Sequence, residues 1–386
     1  MIPYGRQEIT QSDIDAVIEV LRSDYLTQGP MVPFFEKTVA AYTSSKYAVA
    51  TNSATSALHL ACLSLGVKEG DVVWTSPITF VASANCALYC GAEIDFVDID
   101  PNTYNLCSSK LEEKLAAAKK NGEKLPKVVI LVHLCGQSCD MEAIYALSKT
   151  YGFRIIEDAS HAVGGKYKNA PIGNCFYSDI CVFSFHPVKV ITTGEGGVAL
   201  TNDKGLASKM ELLRTHGITK NPDLMSQEME GSWYYEQIDL GYNYRMTDMQ
   251  AALGVSQMER LDSYVAQRHK IAKYYNELIL DDLIVKPYQH PDCYSAFHLY
   301  PIRIRLDKTE KAGCEIFEFL REHGVGVNRH YIPVHTQPYY KSLGFKKGDF
   351  PVAEKYYSET ISLPVFPSLT HKQQEYIVEG INKAIG

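Results

Sequence analysis

The sequence predicts an α/β fold, a mainly parallel sheet between helices, followed by a smaller C-terminal α+β domain. Three observations predict it. Runs such as KVVILVH at 127–133 and FRIIE at 153–157 are continuously apolar and β-branched, the pattern of strands buried on both faces. These runs alternate with segments of helical period, which sets a βα order. At 386 residues the chain is too long for one core. It divides into 12–255 and 256–386, with 1–11 packing near the second part.

In chain order, 2–10 is extended and 12–22 is a helix with Ile14, Val17, Ile18 and Leu21 on one face. A polar turn, 24–30, ends in Gly-Pro. A strand at 47–50 precedes a helix over 56–65, whose approach, Asn52 to Thr55, is small and polar. Strands at 72–75, 93–97, 127–133 and 153–157 follow, with helices at 79–89, 109–120 and 141–151 between them. After strands at 181–185 and 198–200 come a helix at 204–214 and a polar segment at 216–237. GYNYRMTDMQAALG, 241–254, starts as a loop and becomes a helix capped near Thr247, and a long helix follows. The C-terminal part reads as strand 299–306, helix 312–323, strand 325–330, an irregular aromatic loop and a final helix from about 370.

A net charge of −7 argues against a nucleic-acid partner. No cationic leader or bilayer-length apolar run is present, so the expected setting is cytoplasmic, away from membranes. The ten cysteines are scattered, several within apolar runs, and read as reduced core residues. His133, Cys135 and Cys139 are the most metal-like group, but they lack a second pair at matching spacing, so no metal is expected.

The stretch that gathers these elements into a site is CVFSFHPVKVITTGEGGVAL, 181–200. An apolar strand carrying Ser184 bends at His186-Pro187, presents one lysine, Lys189, and returns through a glycine turn. By itself Lys189 could be a surface lysine, and GEGG lacks the ending of a phosphate-binding P-loop. Held among apolar strands, an amine loses its proton more readily, and a neutral amine can form a Schiff base with a carbonyl. Asp158 ends a strand 31 residues earlier, and the helix near Ser56 starts with small residues that leave its amides open to an anion. Such sheets bind ligands beyond the carboxyl ends of their strands. An amine for an aldehyde, a carboxylate for a ring nitrogen and a phosphate cup together describe a pyridoxal 5′-phosphate site.

Six stretches in order carry a family resemblance: LTQGP at 26–30, TNSATSALHLA at 51–61, TSPITFVASAN at 75–85, EDASHAVGG at 157–165, FSFHPVKVITTGEGG at 183–197 and GYNYRMTDMQAALG at 241–254. Over essentially its whole length the chain resembles the DegT/DnrJ/EryC1/StrS group, fold-type I aminotransferases of nucleotide-linked keto sugars. The resemblance implies a seven-stranded sheet in the large domain. It implies that Lys189 forms the Schiff base and moves the proton, that Asp158 pairs with the pyridine nitrogen, and that Phe80 stacks on the ring. His161 would contact the cofactor's phenolic side. Ala54, Thr55, Ser56 and Ser184 would hold the phosphate, with Asn243 of a second subunit, so a homodimer with shared sites is implied. The sugar nucleotide would meet Tyr4, Asp24, Tyr25, Leu26, Thr27, Asn328, Arg329, His330 and Tyr331, with Arg329 and His330 on the diphosphate.

LTQGP, FSFHPVK and the NRHY loop narrow the resemblance to enzymes of pseudaminic acid biosynthesis and flagellin glycosylation. These aminate C4 of a UDP-linked 4-keto-6-deoxy N-acetylamino sugar, with an amino acid such as L-glutamate as donor. Amination of another UDP- or dTDP-keto sugar at C3 or C4 is the enzymatic alternative, and a cofactor-binding regulator without turnover the non-enzymatic one. Relatives that remove a hydroxyl carry histidine in place of the lysine, and Lys189 speaks against that chemistry.

Overall fold

The structure, a computed structural model, describes residues 1–227, 229–280 and 282–386. Its centre is a seven-stranded sheet. The strands are β1 Tyr47–Thr51, β2 Val72–Thr75, β3 Glu93–Phe96, β4 Val128–Val132, β5 Arg154–Asp158, β6 Ile180–Ser184 and β7 Gly197–Thr201, in the order β1-β7-β6-β5-β4-β2-β3. Only β7 runs against its neighbours, β1 and β6. The carboxyl ends of the other six strands therefore share one edge, and β7 begins there.

Why the strands lack apolar–polar alternation is visible in their packing. Val128 and Ile130 face a core built with α3 (Ala54–Ser64), α4 (Ala82–Tyr89) and α7 (Lys204–Arg214). Val129 and Leu131 face the other way, toward α5 (Ser108–Asn121) and α6 (Met141–Tyr151). On that second side Ala48, Phe183 and Leu200 meet α2 (Met31–Thr43) and α8 (Asp248–Met258). With both faces buried, every second residue must be apolar on either side.

A further core surrounds a three-stranded sheet of β8 (Ile284–Val285), β9 (Tyr300–Ile304) and β10 (Thr360–Leu363), with α10 (Gly313–Glu322) and α13 (His371–Ile385). Helix α9 (Leu261–Leu278) belongs to both cores: Leu261, Tyr264 and Val265 pack with the large sheet, while Ile271, Ala272 and Tyr275 pack with the small one. The apolar contact thus passes from core to core within α9, whereas residue 255 lies inside α8. The N-terminal segment joins the small core, with Ile2 bridging Val325 and bonding Gly324 and Gly326.

Several expectations change. The stripe expected to bury α1 (Gln11–Arg22) does not do so: Ile14 is 44% exposed and Leu21 55% exposed. Asp13 is buried instead, because Arg260, Ser256 and Gln257 of the α8 region satisfy its carboxylate. Helix α2, absent from the sequence reading, starts just after Pro30, and the buried Asp248 accepts from the amides of Gly29 and Met31 at its entrance. The helix expected from 79 begins at Ala82, since Thr79 and Phe80 belong to the turn before it. The strand expected at 325–330 is reduced to bridges at Val325 and Asn328, because the segment meets Ile2 and then Ser362 and never one continuous neighbour. The aromatic loop holds α11 (Pro338–Ser342), α12 (Pro351–Glu359) and β10; each of these helices opens on a proline whose missing N–H costs nothing there. No described helix is long and apolar enough to cross a membrane.

The Asp13 cluster yields a test. Burial opposes its charge, but bonds from the Thr10 backbone, Ser256, Arg260 and Gln257 outweigh that and hold the carboxyl below its usual range. Asp13→Ala strands the Arg260 charge and two donors and should cost about 2–3 kcal/mol in urea denaturation at pH 7. A group with a depressed folded pKa contributes its stability above the unfolded value and loses it as pH falls through the folded one. The difference between wild type and Asp13→Ala should therefore shrink below about pH 4.

Candidate active site

The carboxyl edge of the sheet opens into a cavity of about 830 Å³. Four pieces converge on it: the start of α3, the ends of β5 and β6, the loop before β7, and the segment around Asn328–Tyr331.

Lys189 comes from the loop between β6 and β7. Its backbone is braced by the Lys189 amide on the His186 carbonyl (2.9 Å), Thr193 on Phe185 (3.0 Å) and the Thr192 hydroxyl on the Phe185 carbonyl (2.9 Å). The side chain is partly open to the cavity, yet protein lies around the amine in nearly every other direction. This burial pulls the ammonium down to about 8, against the opposing pull of the Asp158 charge. No hydrogen bond or ion pair engages its Nζ among the described residues.

Asp158, buried at the end of β5, is fixed by hydroxyls and not by a cation. Ser83 donates to Oδ2 (2.5 Å), and Ser160 donates to Oδ1 from both its hydroxyl (2.5 Å) and its amide (3.2 Å). With no cation bonded to it among the described residues, the carboxylate remains available to the cavity.

At the start of α3, Ser53 caps the helix by accepting from the Ser56 amide (3.2 Å), and the Ser56 hydroxyl donates to Asn52 (2.7 Å). The amides of Ala54 and Thr55 have no partner among the described residues. Gly197, between Thr51 and Ser184 in the sheet, makes the close approach possible: a Cβ there would sit 2.5 Å from the Ala54 nitrogen. Ser184 lines the same hollow.

Phe80 projects from the turn before α4 with 58% of its surface exposed, its ring centre 6.3 Å from that of Tyr331. Tyr331 bonds His161 Nε2 (2.9 Å), and His161 Nδ1 accepts from the Cys135 amide (3.3 Å). His330 Nδ1 meets the Ser362 hydroxyl (2.8 Å), and burial with the Lys189 charge lowers its pKa to about 3. Tyr4 and Asn328 complete this wall.

Six expected residues do not line the cavity of their own chain. Arg329 turns the opposite way from its neighbours Asn328 and His330, as adjacent residues of an extended segment do, and lies over the rings of Phe317 and Tyr357. Asp24, Tyr25, Leu26 and Thr27 are exposed beside the start of α8: Leu26 O accepts from the Asp248 amide (3.0 Å), and Thr27 bridges Thr247. Asn243 is exposed, and its carbonyl accepts from Asn52 (3.4 Å). His133 spends its ring on Glu157 (2.7 Å) and the Cys139 amide (3.1 Å). Sequence reasoning missed Ser83, Ser160 and His298. Ser160, two residues after Asp158, was within reach of a turn argument; Ser83 and His298 arrive from elements distant in sequence.

The sequence profile of the DegT/DnrJ/EryC1/StrS aminotransferase family matches residues 7–382. The chain belongs to this family. Proteins similar to it include the UDP-4-amino-4,6-dideoxy-N-acetyl-beta-L-altrosamine transaminase of Campylobacter jejuni, 38% identical over 384 residues, 98% of this chain and 96% of that protein. Among solved structures, Helicobacter pylori PseC, an aminotransferase of pseudaminic acid biosynthesis, superimposes with a TM-score of 0.90 at 30% identity, covering 100% of this chain and 99% of that one. Spr1654 of Streptococcus pneumoniae, named as a sugar aminotransferase, does so in its PMP form with a TM-score of 0.89 at 30% identity, covering 100% and 99%. Membership makes this chain an aminotransferase whose cofactor is pyridoxal 5′-phosphate. The residues fit that group: an unpaired amine, a carboxylate without a cation, and a helix start left clear by Gly197.

The lowered amine gives a second test. Below about 8 the neutral fraction of Lys189 falls tenfold per pH unit. Uptake of pyridoxal phosphate by cofactor-free protein, followed by absorbance, should quicken with pH and level off above about 8, and Lys189→Ala should show no such phase. The sign carries over to stability. The unfolded lysine binds its proton up to about 10.4, so cofactor-free protein should gain stability as pH rises from the folded toward the unfolded value.

Proposed function

We propose that this chain transfers the amino group of an amino acid, L-glutamate, to C4 of a UDP-linked 4-keto-6-deoxy N-acetylamino sugar. The product would be UDP-4-amino-4,6-dideoxy-N-acetyl-beta-L-altrosamine, a step of pseudaminic acid biosynthesis. One observation carries the reading: Lys189, unpaired and with its pKa lowered, shares a cavity with the Asp158 carboxylate and the open start of α3. The full-length similarity to the Campylobacter transaminase and to PseC supports the choice of sugar.

Ala54, Thr55, Ser56 and Ser184 would bind the cofactor phosphate, and Phe80 would cover the ring. When bound, pyridoxal phosphate supplies an aldehyde to carry the amine and a ring that accepts the electron pair released at the amine-bearing carbon. Asp158 holds a proton at the ring nitrogen, its own orientation fixed by Ser83 and Ser160. Lys189 Nζ takes the proton from the amine-bearing carbon of the donor and, in the second half of the cycle, delivers one to C4 of the sugar. Tyr4, Asn328, His330 and Tyr331 offer the sugar a polar, aromatic wall.

The site is shared in this reading. Apart from Lys189, no lysine or arginine is among the described residues lining the cavity, so a diphosphate needs cations from elsewhere. Asn243 lies exposed, and Ile9, Ile14, Leu21, Tyr25, Leu26 and Phe34 leave apolar surface in the first 34 residues. A homodimer in which each copy lends Asn243 to the other's site uses both features.

Purified protein should bleach its cofactor band with glutamate and then aminate the UDP-4-keto-6-deoxy N-acetylamino sugar faster than dTDP- or GDP-linked 4-keto sugars, with Lys189→Ala inert in both halves. Preference for another nucleotide would overturn the choice of substrate, and the absence of bleaching would overturn the reaction. Sharing is tested by mixing Lys189→Ala with Asn243→Ala subunits, each inactive alone. If Asn243 acts across the interface, a mixed dimer has one doubly damaged and one intact site, and about half the activity returns per mixed dimer. Mixed dimers that form but stay inactive would place Asn243 in its own subunit's site.

A further inference from the structure

Tyr331 is held so that only one of its hydrogen-bonding capacities remains available. The Cys135 amide points at His161 Nδ1 (3.3 Å), and an amide can only donate, so Nδ1 carries no hydrogen. His161 is buried, and that burial together with the Lys189 charge pushes its pKa well down, so the ring is neutral. A neutral imidazole has one N–H, which must then be on Nε2. Nε2 therefore donates to Tyr331 Oη across 2.9 Å. The phenol accepts there and must aim its own hydrogen elsewhere. Burial first, then Cys135, Tyr4 and Asp158, raises the phenol well above its ordinary range, so that hydrogen is not lost. Among the described residues no second partner takes it, and Tyr331 lines the cavity that holds Lys189.

We propose that Tyr331 donates a hydrogen bond to the oxygen on the reacting carbon of the keto sugar, with His161 fixing the direction of that bond. This rests on reading the site as that of a keto-sugar aminotransferase. The carbonyl oxygen accepts, and it gathers electron density as an amine adds to its carbon, so the bond strengthens as the reaction proceeds. The product carries a protonated amine at the same carbon, with no lone pair to accept. Tyr331 thus favours the keto form over the amino form and assists product release. His161 is a positioning residue: it acts through the phenol.

Two measurements test this. In cofactor-free Lys189→Ala protein, calorimetry would compare UDP, the UDP-linked 4-keto sugar and its 4-amino product with and without Tyr331→Phe. The keto sugar should bind about 5- to 10-fold more weakly to the double variant, the worth of one hydrogen bond. UDP and the amino product should change by less than about twofold. Equal loss for all three would make Tyr331 a packing wall, and no loss for any would remove the bond; either overturns the proposal. In the loaded enzyme, Tyr331→Phe should slow the keto-sugar half-reaction about 10- to 100-fold and spare the glutamate half-reaction. Equal slowing of both would assign the bond to the cofactor and overturn the proposal. His161→Gln, which keeps an N–H for the phenol, should retain more of the keto-sugar rate than His161→Leu; equal rates would remove His161 from the arrangement. Wild-type turnover of the keto sugar is the control. Its absence sinks the substrate reading, whereas wild-type turnover left untouched by Tyr331→Phe sinks the donor alone.

Discussion

The structure depends on an amine kept without a partner. A lysine pointing into a protein interior ordinarily finds a carboxylate, and the acid whose charge acts on it here, Asp158, has its oxygens engaged by Ser83 and Ser160. Hydroxyls orient the carboxylate and no cation among the described residues bonds it, so amine and acid share one cavity without being spent on each other. Strand β7 makes the arrangement possible. Running against its neighbours, it begins at the carboxyl edge, so the chain between β6 and β7 stays at that edge as one short loop carrying Lys189. The loop is tied to the Phe185 backbone on one side, and on the other the Thr192 amide donates to the Gln257 side chain of α8.

What was legible in the sequence follows from how locally each feature is encoded. Lys189, Ser184 and the glycine turn lie within one stretch of 20 residues, and Asp158 ends an apolar run; neighbours in sequence suffice to place them at a strand end. Helix α2 is masked by the Gly29-Pro30 turn signal just before it, although Phe35 and Val39 carry helical spacing. The buried face of α1 was misjudged for a different reason. An apolar stripe normally decides such a face, but a charge satisfied by Arg260 and two further donors took the interior, and that requires knowing what lies 240 residues away. Arg329 was assigned with His330 by motif, while the extended backbone between them alternates sides.

The two sides of the cavity differ in chemistry in a way the fold explains. The sheet edge contributes an amine, a carboxylate and bare amides, groups that suit a charged planar cofactor. The segment from Asn328 to Tyr331, with Tyr4 beside it, contributes two phenols and the neutral imidazole of His330, which suit a sugar's hydroxyl and carbonyl oxygens. His161 joins the sides: it comes from the loop after β5 and bonds the phenol of Tyr331. Because burial keeps these imidazoles uncharged, the field at Lys189 is set mainly by Asp158.

Helix α9 runs through both apolar cores, with Tyr264 in one and Tyr275 in the other. Loosening either core therefore exposes a face of the helix that the other core packs against, which couples the stability of the two. A single rod of 18 residues thus lends a packed face to each core, and a change at one end of it is felt in the packing of both.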